Sequence, residues 1–127
     1  MPYELSFTKP VTIRDRERYI NECCVGGDIV VDWLLPSIRE RCADIETEQE
    51  DWGWFIWFRE GGVKLAVDVH TDDGDAGRFR IRATSRVRRL LSDKVVDTPE
   101  LEELRARLES RLLRWGVKDL TIERVDD

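Results

Sequence analysis

A chain of 127 residues fits one folded domain. Its hydrophobic fraction of 41% excludes a disordered polymer, and at this length about two-thirds of the unfolded surface is buried on folding, so neither a disulfide nor a metal is needed to hold it together. The net charge of −6, from 21 basic and 27 acidic residues, disfavours broad nucleic-acid binding, because a phosphate backbone is repelled on average.

Tyr3, Leu5, Phe7, Val11 and Ile13 alternate with mostly polar residues, and this period of two predicts a first strand, broken or bulged near Pro10. Arg14-Asp15-Arg16 reads as a turn. Residues 18–25 fit a strand through Tyr19, Cys23 and Val25, or, with Ile13, a helix face through Tyr19, Ile20, Cys23 and Cys24; the strand is the expectation. Gly26-Gly27 ends that element, and Asp28 is placed to cap a helix over 28–42 through its carboxylate. Ile29, Val30, Trp33, Leu34, Ile38 and Cys42 recur at helical spacing, with Pro36 expected to kink the run or end its first half. The acidic stretch 43–51 reads as a solvated loop.

From Trp52 to Ala83 the chain reads as three antiparallel strands. The aromatic run Trp52–Phe58 comes first, and Glu60-Gly61-Gly62 marks a tight hairpin. Val63, Leu65, Val67 and Val69 then alternate with polar residues, a turn spans 71–77, and Phe79, Ile81 and Ala83 alternate with Arg78, Arg80 and Arg82. Residues 85–97 read as a connector with a helical turn near 87–91. Thr98 as cap, Pro99 in the first turn, the stripe Leu101, Leu104, Leu108, Leu112 and Trp115, and Gly116 as a left-handed stop define the last helix. A final strand covers 118–125. The expected order is β(β)αβββαβ: one α+β domain over 1–127, a largely antiparallel sheet with two helices packed on one face.

The aromatic strand does not fit a sheet with only one apolar face. Trp52, Trp54, Ile56 and Phe58 are expected to point one way, and Phe55 and Trp57 the other. The second face joins Phe55 and Trp57 to Asp68, His70, Arg80 and Arg82, and tryptophan and arginine are typical anchors at protein interfaces. Two readings of that face stand together. The acidic loop or the N-terminal segment covers it, with the arginines paired to Asp68 and Glu60; or it awaits a protein partner or a second copy in a homodimer.

Chemical motifs are sparse. The odd number of cysteines (Cys23, Cys24 and Cys42) and the absence of a secretory leader or a long apolar run lead to the expectation of free thiols in a cytoplasm, with no membrane contact. One histidine without a Cys-x-x-Cys pair gives no zinc ligand set, and Asp72, Asp73 and Asp75 lack the distal glutamate of a calcium loop, so no cofactor is expected. A small enzyme would use His70 and Asp68 with a cysteine. Arg78, Arg80, Arg82, Arg86, Arg88 and Arg89 beside Trp57 would suit single-stranded nucleic acid, against the overall negative charge. In size, charge and architecture the chain resembles the small acidic α+β proteins that bacteria encode as immunity or accessory binding partners, which implies a non-catalytic protein-binding module.

Overall fold

The computed structural model describes residues 1–42 and 44–126. Seven strands form one antiparallel sheet: β1 (Tyr3–Thr8), β2 (Glu46–Glu50), β3 (Gly53–Glu60), β4 (Val63–Asp73), β5 (Arg78–Arg89), β6 (Ser92–Val95) and β7 (Lys118–Arg124). The spatial order is β2-β3-β4-β5-β1-β7, and β6 pairs with the second half of β5, on from where β1 stops. Helices α1 (Gly27–Arg39) and α2 (Pro99–Arg114) pack against the sheet and against each other. The α+β fold with an antiparallel sheet and its helices on one face is as the sequence predicts.

Period-two apolar positions supply the sheet side of the core: Leu5 and Phe7, Ile56 and Phe58, Leu65, Val67 and Val69, and Phe79, Ile81 and Ala83 are all buried. The helices answer with Val30, Leu34 and Ile38 from α1 and Leu101, Leu104, Leu108 and Leu112 from α2. The two helices are tied by a reciprocal pair. Trp33 Nε1 donates to the Arg111 carbonyl and Arg111 Nε donates to the Trp33 carbonyl, both at 2.9 Å. Trp115 stacks on Trp33 at 5.4 Å between ring centroids. Thr98 Oγ1 accepts from the Leu101 amide, and Gly116 takes φ 77°, so α2 begins and ends as its sequence dictates.

Four local expectations are corrected. Residues 14–25 form no strand; they carry two single 3₁₀ turns, Arg16–Arg18 and Glu22–Cys24, capped by Asp15 and Asn21 side chains, and wrap Tyr19, Cys24 and Val25 into a satellite cluster against Trp54. Asp28 is not the cap of α1. Gly26, at φ 81°, holds that position, and the Asp28 carboxylate accepts from the Tyr19 hydroxyl at 2.6 Å and pairs with Arg18 at 3.1 Å. Helix α1 runs through Pro36, which sits on its exposed side. The connector 85–97 is strand, not helix: β5 continues to Arg89 and turns at Leu90-Leu91 into β6.

A fifth correction matters most for the site. The acidic stretch is largely an edge strand, β2, in register with the aromatic strand: Glu46 opposite Trp57 and Glu48 opposite Phe55. Ala43, the first residue of that stretch, lies outside the described residues. Strand propensity alone would not place Glu-Thr-Glu-Gln-Glu in a sheet; the ladder offered by β3 does, and charge on an edge strand discourages further pairing. Gln49 anchors the segment from the helix side, accepting from the Ile20 amide at 2.9 Å and donating to the Arg18 carbonyl at 3.2 Å.

Candidate functional site: the open face of the sheet

Both helices lie on one side, so among the described residues the other side of the sheet carries no helix. Register puts the six candidate residues on that open side, as the alternation requires. Phe55 stands opposite Asp68, Asp68 opposite Arg82, and His70 opposite Arg80, while Trp57 faces Ala66 and Ala66 faces Thr84.

Within this set the side chains differ sharply in access. Phe55 is buried, because Trp57 lies over it at 4.0 Å between centroids and Trp52 packs at 6.5 Å on its other flank. Trp57 remains 42% exposed, the largest aromatic surface on this face. Trp52 corrects another expectation: it belongs with the open face rather than with Trp54. Gly53, at φ 150°, separates the two indoles, and Trp52 meets His70 at 5.2 Å. His70 Nδ1 lies 3.0 Å from the Trp52 carbonyl. A carbonyl only accepts, so that nitrogen donates.

Asp68 is the electrostatic centre. Burial pushes its carboxyl above the usual aspartate range, opposed by the hydrogen bond from Trp57 Nε1 at 3.2 Å and by the positive charges of His70, Arg86 and Arg82. The arginines are not paired with Asp68 and Glu60. Arg80 is bound by Asp72 at 2.9 Å and approached by Glu4 at 3.8 Å, and Arg82 donates to the Asp126 carbonyl at 3.1 Å. Glu60 faces the helices and holds Arg107 and Arg41. Among the described residues, neither the N-terminal segment nor the acidic stretch folds over Trp57, which stays 42% exposed. The acidic residues lie beside it in the sheet.

The open face is therefore striped across the strands. Glu46 and Glu48 on β2 form an acidic stripe; Phe55 and Trp57 on β3, with Ala66 on β4, form an aromatic and small-residue stripe; and Arg80, Arg82, Arg86 and Arg88 on β5 form a basic one. A shallow concavity of about 610 Å³ opens over Ala66 and Thr84, walled by Trp57, Glu46, Lys64 and Arg86. Sequence reasoning missed the acidic stripe, Trp52 and the Ala66–Thr84 floor. The alternation of Glu46, Glu48 and Glu50 was visible, but in so acidic a stretch it reads equally as solvated loop.

Two of the three thiols are arranged unlike nucleophiles. Cys42 lies in the core beneath the helices, and burial raises its thiol. Burial also raises Cys24, whose sulfur donates to the Glu50 carbonyl at 2.9 Å. A catalytic thiol needs the opposite shift. Cys23 is exposed. Among the described residues no cluster of three or more His, Cys, Asp or Glu side chains is disposed to hold a metal ion, and no helix is long and apolar enough to cross a membrane. No protein family, curated protein or solved structure matches the chain.

Proposed function

We propose that this protein is a non-catalytic binding module that engages another protein, either a distinct partner or a second copy, through the open face of its sheet. The observation that carries the reading is Trp57, 42% exposed one strand in from the edge of a sheet face that neither α1 nor α2 covers, with an acidic stripe on one side and a basic one on the other. A half-buried indole with a satisfied N–H is pre-organised for contact, and its desolvation is the kind of event that dominates binding energy. Net charge and size fit an accessory or immunity-type partner, and three free thiols fit a reducing cytoplasm.

The experiment is site-specific photo-crosslinking in the native cell. A photoreactive residue at position 57 is expected to capture a discrete protein, and the same residue at Leu113, exposed on α2, is not. Equal capture from both positions, or none from position 57, would sink the reading. A purified partner should then lose affinity for Trp57→Ala by roughly 2 kcal/mol or more. The enzyme reading has less behind it, since His70 is tied to the Trp52 carbonyl and two of the three thiols are pushed away from reactivity.

A further inference from the structure

The stripes on the open face have a symmetry of their own. Within the four strands that carry the stripes, the aromatic strand β3 and its neighbour β4 lie inside, the acidic edge strand β2 lies one strand outside β3, and the basic strand β5 lies one strand outside β4, with β1 and β7 continuing the sheet beyond it. With strands about 4.8 Å apart, the acidic and basic stripes each stand roughly 7 Å from the line between β3 and β4. We infer that the occupant of this face is a second copy of the chain, packed sheet to sheet about a two-fold axis that runs along the strands over the β3–β4 line. This rests on the reading of the open face as a protein-binding surface and specifies its partner.

The charge pattern selects that axis. Rotation about a line parallel to the strands exchanges left and right and leaves position along the strands unchanged. It therefore lays β2 of one copy over β5 of the other, twice per dimer; it also sets Arg59 over Lys64, a like-charge contact that Asp93, bound to Lys64 at 2.6 Å, offsets. An axis in the same plane but across the strands would set glutamate over glutamate and arginine over arginine, a like-charge arrangement that disfavours association.

Symmetry also fixes the register, because a two-fold rotation permits no sliding along its own axis. Glu48, Phe55, Asp68 and Arg82 share one row across the sheet, so Glu48 of each copy meets Arg82 of the other. Glu46 shares a row with Trp57, Ala66 and Thr84, so it falls between Arg82 and Arg86 of the facing β5. At the axis, Trp57 lies opposite Ala66 of the second copy. The concavity over Ala66 and Thr84 gives the indole a recess where a larger residue would collide. The crossing of about 30° usual for aligned sheets divides evenly between the two copies. Contact between copies that is isologous and self-complementary is the commonest form of assembly.

The test is light scattering and sedimentation over a wide dilution range, with a charge-exchange pair. The native chain is expected to be a dimer. Glu48→Arg and Arg82→Glu should each weaken it by roughly tenfold or more, because each places two like-charge contacts in the interface, and the double variant should recover most of the loss. Far-ultraviolet circular dichroism checks that each variant folds. A native chain that stays monomeric overturns the inference, as does a dimer indifferent to both single changes, which would place its contact elsewhere. A dimer weakened by both and not recovered in the double variant overturns the pairing. Crosslinking from position 57 separates the two levels: a monomer in which position 57 captures a different protein keeps the binding face and discards the symmetric partner, and a monomer with no capture discards both.

Discussion

Trp57 and Asp68 act on each other across adjacent strands: the indole N–H donates to the carboxylate at 3.2 Å while the ring helps bury it. Burial thus raises the carboxyl while the tryptophan's hydrogen bond lowers it, and burial wins.

That balance fixes the pH dependence of Asp68→Asn. A carboxyl whose folded value is raised destabilises the native state at pH above that value, and the penalty fades as pH falls through it toward the unfolded value of 3.8. The asparagine keeps an oxygen acceptor for Trp57 and removes the charge. Asp68→Asn should therefore raise the urea midpoint at neutral pH, with the gain shrinking toward pH 4. A loss of stability at neutral pH would mean that Arg82 and Arg86 hold the carboxylate more strongly than burial opposes it.

Tyr19 gives a second pH signature at the alkaline end. Burial first, then the hydrogen bond to Asp28, push its hydroxyl from 10.0 up to about 12. Above the unfolded value, unfolding releases a proton that the native state retains, so stability falls with rising pH between the two values. The full loss amounts to roughly 2–3 kcal/mol. Denaturation of Tyr19→Phe across that range should lack this slope, and a slope that persisted would assign it to other groups.

Gly53 decides which indole goes to which side of the sheet. A Cβ there would lie 2.1 Å from the Val69 carbonyl oxygen, and the backbone stands at φ 150°. Gly53→Ala should cost about 3 kcal/mol or more, since the obstacle is backbone and cannot swing away. The near-ultraviolet circular dichroism of the Trp52, Phe55 and Trp57 stack should change with it. An alanine accepted at less than about 1 kcal/mol would show that the β3–β4 ladder yields there.

Leu90, at the tip of the β5–β6 hairpin, is 96% exposed and held at φ 53°. Such a conformation costs a leucine about 1 kcal/mol or more, while glycine adopts it freely. Leu90→Gly should therefore stabilise the fold by about 0.5–1 kcal/mol, read from chemical denaturation, despite removing a side chain. Destabilisation would mean that Leu90 contributes packing that its exposure does not reveal.

Some of this protein is written in local pattern. Thr98, Pro99, the leucine stripe and Gly116 specify α2 from within sixteen residues and their flanks, because caps, spacing and a left-handed stop each act locally. The alternations in β3, β4 and β5 likewise fix which residues share a face, since a strand exposes every second side chain to the same side. The grouping of Phe55, Trp57, Asp68, His70, Arg80 and Arg82 follows from that alone.

Tertiary structure decided the rest. Glu46–Glu50 has no intrinsic reason to be a strand and becomes one only because β3 presents an unpaired ladder. Trp52 joins the open face because Gly53 lets the backbone swing against Val69, a contact between residues far apart in the chain. Asp28 leaves its expected cap for Tyr19 and Arg18, since residues 16–24 fold back over the start of α1. In each case a partner outside the segment itself, from the neighbouring strand of a hairpin to a strand well along the chain, supplied the free energy that settled it.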